Sequence, residues 1–308
     1  VKGALLGPQQ VTSTVRQVID ALGVKGNIAL ITAGWQERES LDKELKHDLG
    51  HHVTNLKLYE RGEQVLAADD EYAKLHRTRQ DRLRQRQDYY RLRLHHVVDA
   101  ALDIVRLSAG SPFAEDEASI SIENIRRLDR DHLAHCKETR LEFEDRVKPL
   151  ERPAIAKHRA ELATILKRAS CLVVAGGHVA VLLNRARMFG LTDLLHDMTV
   201  VAWSGGAMIT GERVVLFHES PPQGVGISEV LDEGLGLHHG VLALPNPRMR
   251  LKLDDKFRVE WMSRRNLPEK CVAMDHGESV KFDGERWFDA SGTHLLKPDG
   301  TVSAEWAS

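Results

Sequence analysis

Cysteine is scarce in this chain of 308 residues: Cys136, Cys171 and Cys271 are all it has. They are odd in number, far apart and without metal-ligand spacing. That excludes a disulfide framework and a cysteine-based metal centre, and it favours a reducing, cytoplasmic setting. Long apolar runs are also missing, and none is long enough to span a bilayer. The first residues lack the basic-then-apolar pattern of a secretory signal. The chain begins with valine rather than an initiator methionine, which leaves room for residues before it. Charge of one sign does not dominate: 43 Lys and Arg face 45 Asp and Glu, for a formal net charge of -2. No whole-molecule field therefore demands nucleic acid or a membrane surface.

What is present is ordinary globular material, 42% hydrophobic and 29% charged. The first third alternates short apolar runs with helical patterns: residues 3–8, a helix over 11–22, then 27–34, a charged helix over 41–49, and 53–59. Strands alternating with helices predict a mainly parallel α/β sheet flanked by helices. From Glu63 to Leu150 glycine nearly vanishes and helix formers take over. Residues 108–112, Ser-Ala-Gly-Ser-Pro, split that region into two long helices. The simplest shape is a helical hairpin, residues 63–150, inserted after the third strand of a single domain spanning 1–308. Pro149 and Pro153 end it, and a helix over 154–167 returns to the sheet. After 171–178 and the helix over 179–189, strands are expected at 213–219 and 240–246. Four short antiparallel strands follow at 272–274, 279–282, 286–288 and 294–297, with Asp283-Gly284 and Asp299-Gly300 supplying turn chemistry.

The hairpin carries two further signals. Ile125, Leu128, Phe143 and Val147 recur at helical spacing, a stripe that two helices alone cover only in part. A homo-oligomer pairing two such arms is therefore expected. Between Leu75 and Leu94 stand Arg77, Arg79, Arg82, Arg84, Arg86, Arg91 and Arg93 against Asp81 and Asp88. This is either a basic arm for an acidic partner or phosphates, or a solvated helix face partly neutralised by Asp129, Asp131 and Glu138. The solvated face is the simpler reading, and nucleic acid is not expected. Few apolar residues lie between Ala73 and Asp88, so that part is expected to project or to pack on another subunit.

The chemistry-bearing stretch is Val200-Val201-Ala202-Trp203-Ser204-Gly205-Gly206-Ala207. An apolar strand turns sharply into a helix at a serine, as in a nucleophile elbow, although the glycine two residues before the serine is absent. The turn offers a nucleophile and the Gly205 amide as an oxyanion donor. The plainer reading is a βα turn that needs small residues for close packing. Gly176-Gly177-His178 ends another strand at the same expected sheet edge, where its amides could join Gly205. Again a tight turn is the alternative. A serine nucleophile needs a base, and a histidine base an orienting carboxylate. Sixteen histidines make their number uninformative. His218 and Glu219 end the strand after the elbow. His238 and His239 sit in a turn, and His276 sits in a surface turn.

The segment from Cys171 to Leu251 resembles the dipeptidase E and cyanophycinase family of serine peptidases, which have a class I glutamine amidotransferase-like fold. The likeness rests on Ala175-Gly176-Gly177-His178 in place of a Gly-Gly-Asn loop and Trp203-Ser204-Gly205-Gly206-Ala207 in place of Ser-Ala-Gly-Ala. Leu235-Gly236-Leu237, Pro245-Asn246 and the first two strands continue it. The resemblance implies Ser204 as nucleophile, Gly177 and Gly205 as the oxyanion hole, Gly176 and His178 in the pocket, and Glu219 as the acidic partner. It implies hydrolysis of a small peptide or amide substrate through an acyl-enzyme, with no metal or organic cofactor. The family's histidine should follow the proline of the next strand, where this chain has Asn246. Asparagine cannot accept and release a proton near neutral pH. Either His218 or His239 replaces it, or the chain is a non-catalytic protein that keeps the fold and uses the hairpin for assembly. His218 has a drawback: side chains alternate along a strand, so it should point away from Glu219.

Overall fold

The computed structural model describes residues 1–11, 13–50, 52–218, 226–284 and 286–305. The strands are β1 Lys2–Leu6, β2 Asn27–Ile31, β3 Val53–Asn55, β4 Ala169–Val174, β5 Thr199–Trp203, β6 Arg213–Leu216, β7 Glu229–Glu233, β8 Val241–Pro245, β9 Lys270–Met274, β10 Ser279–Asp283, β11 Arg286–Ser291, β12 His294–Leu296 and β13 Val302–Ser303. The helices are α1 Val15–Ala21, α2 Lys43–Leu49, α3 Leu58–Ala68, α4 Asp70–Ser108, α5 Ala114–Val147, α6 Pro153–Leu166, α7 Val179–Met188, α8 Gly205–Thr210, α9 Pro247–Arg250 and α10 Lys256–Asn266. Three short 3-10 turns, at Ala33–Arg38, Pro149–Glu151 and Leu191–Leu194, complete the order.

The main sheet runs β11-β10-β1-β5-β4-β2-β3. Its five strands from β1 to the β3 edge are parallel, and the two at the β11 edge pair antiparallel. Strands covered on both faces need near-continuous apolar sequence. Residues Ala4–Leu6, Ile28–Ile31, Leu172–Val174 and Val200–Ala202 are accordingly sealed from solvent. Because these strands are parallel, Gly7, Gly34, Ala175 and Ser204 leave the sheet at one common edge.

The C-terminal strands pair antiparallel as expected, β10 with β11 and β9 with β12, but they divide between two sheets. β10 and β11 extend the main sheet, while β9 and β12 join β8 and β13 in a second one. There β9 runs parallel to β8. The segment between them is a crossover through α9 and α10, and such a connection returns the chain in the same direction. Alternating apolar sequence looks alike in either orientation.

The insertion is two long helices, α4 and α5, of about 58 and 51 Å at 1.5 Å per residue. They do not project. Asp69 breaks α3 from α4: its carboxylate caps α4 through the Tyr72 amide (2.9 Å) and takes both guanidinium arms of Arg152 (2.6 and 2.8 Å). The Arg-rich half of α4 then lies along the body rather than beyond it, with Tyr72, His76, Gln87 and Tyr90 buried. Arg91 pairs with Glu229 of β7, and Gln80 donates to Asn184 of α7. Of the acidic residues expected to neutralise this face, Glu138 reaches Arg86 (3.6 Å), whereas Asp129 is taken by Arg265.

The apolar stripe is likewise covered by the chain's own body. Phe143 and Val147 join the core under the main sheet, and Ile125 joins a cluster with Tyr90, Leu94, Val215, Phe217 and Val230. The stripe therefore supplies no drive for pairing two arms. The apolar side chains left open on the hairpin include Tyr89, Leu92, Leu107, Phe113, Ile120 and Leu141. Among the described residues no helix is long and apolar enough to cross a membrane.

Candidate functional site

Ser204 sits between β5 and α8 with φ 49° and ψ -125°. That region is costly for a residue with a Cβ, about 1–3 kcal/mol, and persists only where the surroundings impose it. They do so here through backbone contact. The Ser204 amide donates to the Leu6 carbonyl at 3.3 Å, tying the turn to the end of β1. A Cβ on Gly176 would lie 2.8 Å from the Ser204 Cβ, one on Gly205 2.6 Å from the Gly177 carbonyl oxygen, and one on Gly206 2.3 Å from the Val174 oxygen. The glycines thus serve close packing, as the plainer reading required. The same packing holds the serine half-buried on the Gly176-Gly177 loop.

That loop is set by a third strand end. Gly177 has φ +134°, and its backbone presses against Gly34, whose carbonyl accepts from the His178 amide at 2.9 Å. The His178 amide is therefore occupied. Its side chain is turned to its own helix, where Nδ1 accepts from the Val181 amide and caps α7. The Gly177 amide lies close to Gly205, 3.4 Å from the position of a Cβ there. As the first residue of α8, Gly205 has no carbonyl a turn earlier to receive its amide.

The remaining expected site residues are less complete. Asn246 caps α9 in the left-handed region (φ 61°), a conformation asparagine tolerates. Its amide donates to the Met274 carbonyl at 3.0 Å, and its side chain reaches the Met249 sulfur at 3.6 Å. Gly7 in turn lies against the Asp275 backbone. Asn246 is thus linked, through the ends of β9 and β1, to the edge that carries Ser204. His218 is half-buried beyond β6, which ends at Leu216. Burial and the nearby Arg250 push its pKa down, opposed by Glu229. Glu219 lies outside the described residues. Among the described residues, ring nitrogens of His76, His132, His158, His178 and His276 find partners away from the Ser204 hydroxyl, and those of His95 and His239 face Asp99 and Glu212.

Two features of this edge escape the sequence reading. Gln36, in the turn after β2, has φ 57° and ψ -125°, nearly the Ser204 conformation. Nothing in Gly34-Trp35-Gln36 signals a strained glutamine, since the signal for such a turn is a glycine and here the strained residue is two places later. His276 stands in a turn as expected, but its Nδ1 meets the Pro8 carbonyl at 3.1 Å, so it packs beside the end of β1. His238 is the reverse case: placed in a turn, it is buried, with both ring nitrogens unpartnered. His239 is half exposed and pairs with Glu212 at 3.3 Å. All three cysteine thiols are buried and pushed up to about 12 by that burial, which leaves them poor nucleophiles.

Neither a protein-family model nor a curated protein sequence matches the chain. Among solved structures it is similar to a peptidase from an acI-B1 actinobacterium, at 13% identity and a TM-score of 0.45, over 96% of this chain and 91% of that one. It is also similar to a "Putative Peptidase E Protein" from Listeria monocytogenes EGD-e, at 17% identity and a TM-score of 0.30, over 45% of this chain and 65% of that one. Likeness this distant assigns no role to any residue, and the functional reading stands on the geometry of the edge itself.

Proposed function

We propose that this protein is a serine hydrolase that cleaves a peptide or amide bond in a small substrate, with Ser204 as nucleophile. The observation that carries the reading is the backbone of Ser204. A non-glycine residue held at φ 49° on a strand-to-helix turn, its Cβ pressed onto a Gly-Gly loop, is a strained arrangement of the kind that places a hydroxyl in front of a substrate. The amides of Gly177 and Gly205 would receive the developing oxyanion. Ser204 Oγ adds to the substrate carbonyl and gives up its proton to a base. The tetrahedral adduct expels the amine, which takes that proton, and water then hydrolyses the acyl-enzyme. His218, held neutral by burial and Arg250, is the candidate base, and Glu219 its candidate partner. In this reading the chain is one α/β unit with the hairpin 63–150 as an insertion. It works in the reducing cytoplasm, where buried unpaired thiols are usual.

One observation favours a second reading. Asn246 stands where the resembled family has its histidine, and none of the histidine hydrogen bonds described above reaches the Ser204 hydroxyl. That combination suits a non-catalytic protein that keeps the pocket. Incubation with a fluorophosphonate, followed by intact mass, separates the two. The first reading expects one phosphonyl adduct on the wild type and none on Ser204→Ala. His218→Ala should slow labelling by about 10²–10⁴-fold, the usual worth of one proton-transfer group. No adduct at all would favour the non-catalytic protein, and labelling that survives Ser204→Ala would remove the nucleophile.

Gly176→Val tests the placement of the serine. Its Cβ would fall 2.8 Å from that of Ser204, so the turn must shift. Displacement by about 1 Å costs on the order of 10²-fold in rate. An unchanged labelling rate would mean that the loop does not position the hydroxyl.

A further inference from the structure

A cavity of about 500 Å³ opens between the hairpin and the C-terminal end of α7. Its walls carry the cations Arg79, Lys137, Arg140, Lys148 and Arg187 against the carboxylates Glu144, Glu151, Asp193 and Glu233. Three of these cations already have carboxylate partners. Arg140 bonds to Asp232 and Glu233, and Arg187 bonds to the other oxygen of Asp232. Lys137 lies 3.4 Å from Glu233. Arg79 differs. Although the residue as a whole is only half-buried, its Nε is sealed from solvent and has no hydrogen-bond partner. Its guanidinium lies 4.5 Å above the Phe143 ring. Glu144 is exposed on the same wall, and its charge acts on Arg79.

We propose that this cavity is a receptor for an anionic group, a phosphate or carboxylate carried by a small molecule, and that Arg79 is its anchor. The sealed, unpartnered Nε leaves the Arg79 guanidinium incompletely satisfied, and an anion in the cavity supplies it with a charged partner. The planar fork of arginine matches phosphate and carboxylate oxygens alike. Arg140 and Arg187 are held by Asp232 and Glu233 and are not available to the anion. His76, one turn before Arg79, is pushed down to about 3 by burial, Arg79 and Arg185, so it stays neutral and competes for no anion. The volume lies in the usual range for small-molecule sites, about 300–1,000 Å³. The site is separate from the Ser204 turn. α7 begins at Val179, after the Gly176-Gly177 loop beside Ser204, and ends at Met188 on the cavity, about 15 Å away at 1.5 Å per residue.

The test uses the full chain and two probes, inorganic phosphate and succinate, at constant ionic strength against sodium chloride. Titration calorimetry and thermal unfolding should show saturable binding of at least one probe and a rise in Tm absent with chloride. Preference for phosphate or for succinate identifies the anion class. Arg79→Gln should weaken binding at least tenfold, Arg79→Lys should retain part of it, and Glu144→Gln should tighten it by removing a competing carboxylate. Arg79→Gln gives up the stacking on Phe143 and should still fold. No saturable binding of either probe, or equal binding by Arg79→Gln, would overturn the proposal. An Arg79→Gln chain that fails to fold would count against it too, by showing that Arg79 already has a structural partner. Looser rather than tighter binding in Glu144→Gln would do the same.

Discussion

Asp129→Ala is expected to lower the free energy of unfolding by about 3–5 kcal/mol, the cost of leaving a buried charge without its partner. Asp129 and Arg265 are 1% and 2% exposed, and both carboxylate oxygens take guanidinium hydrogens at 2.8 Å. Burial alone would pull the Arg265 pKa down, but Asp129 and Tyr90 outweigh it and leave it raised. The Tyr90 hydroxyl donates to Asp129 at 2.7 Å and accepts from the Val230 amide at 3.0 Å. Arg265 also donates to the Ser228 carbonyl at 2.6 Å. One ion pair thus joins α4, α5, β7 and α10. Urea unfolding of Asp129→Ala, read for both midpoint and slope, measures the loss. The triple change Tyr90→Phe, Asp129→Leu, Arg265→Met should be far milder, because it removes charge and partner together. A loss below about 1 kcal/mol for Asp129→Ala would mean that water reaches the pair and that it behaves as a surface bridge.

The same hub explains what the sequence concealed. Asp129 looks like one acid among many on a charged helix, and its partner lies 136 residues away. Local periodicity announces the two long helices, but it cannot say what they lie against. The low apolar content of residues 73–88 therefore reads as a projecting arm. In fact that segment is held by polar contacts, Gln80 to Asn184 and Gln87 to Glu229, which periodicity does not register. The elbow at Ser204 is legible for the opposite reason. Its determinants are consecutive: an apolar strand, then a serine, then residues small enough to meet the Gly176-Gly177 loop. The parallel centre of the sheet is legible from unbroken apolar runs. The second sheet is not, because whether β9 pairs with β8 in parallel or antiparallel fashion depends on a crossover and not on the strand. At the site, glycine marks Gly177 and Gly34, but the strain at Gln36 follows from how three loops meet and leaves no mark on the residue itself.

Acid should weaken this fold through His238, next to the helix that carries Ser204. His238 is 1% exposed, packed against Phe282 and Trp287, with both nitrogens unpartnered. Burial pushes its pKa down to about 4; the Ala207 carbonyl and Glu212 oppose that shift and His239 adds to it. The folded-state pKa lies below the unfolded value of about 6.5. Between these two values the unfolded chain binds a proton that the folded chain refuses, so stability falls as pH drops from about 6.5 to about 4. A shift of that size corresponds to about 3 kcal/mol at full development. His76, pushed down to about 3, acts in the same direction. Urea unfolding at pH 7.5 and at pH 4.5 should show the loss. His238→Leu should remove the part due to His238 while keeping apolar packing against Phe282 and Trp287 at pH 7.5. The position adds a functional consequence. A Cβ on Gly211, which ends α8, would lie 3.2 Å from the His238 ring, so a charge forced in here disturbs the six-residue helix whose first turn fixes Ser204. Reaction of Ser204 with a fluorophosphonate should therefore fall more steeply with acid in the wild type than in His238→Leu. Equal pH dependence of stability in the two chains would show that the ring is protonated in the folded state without penalty.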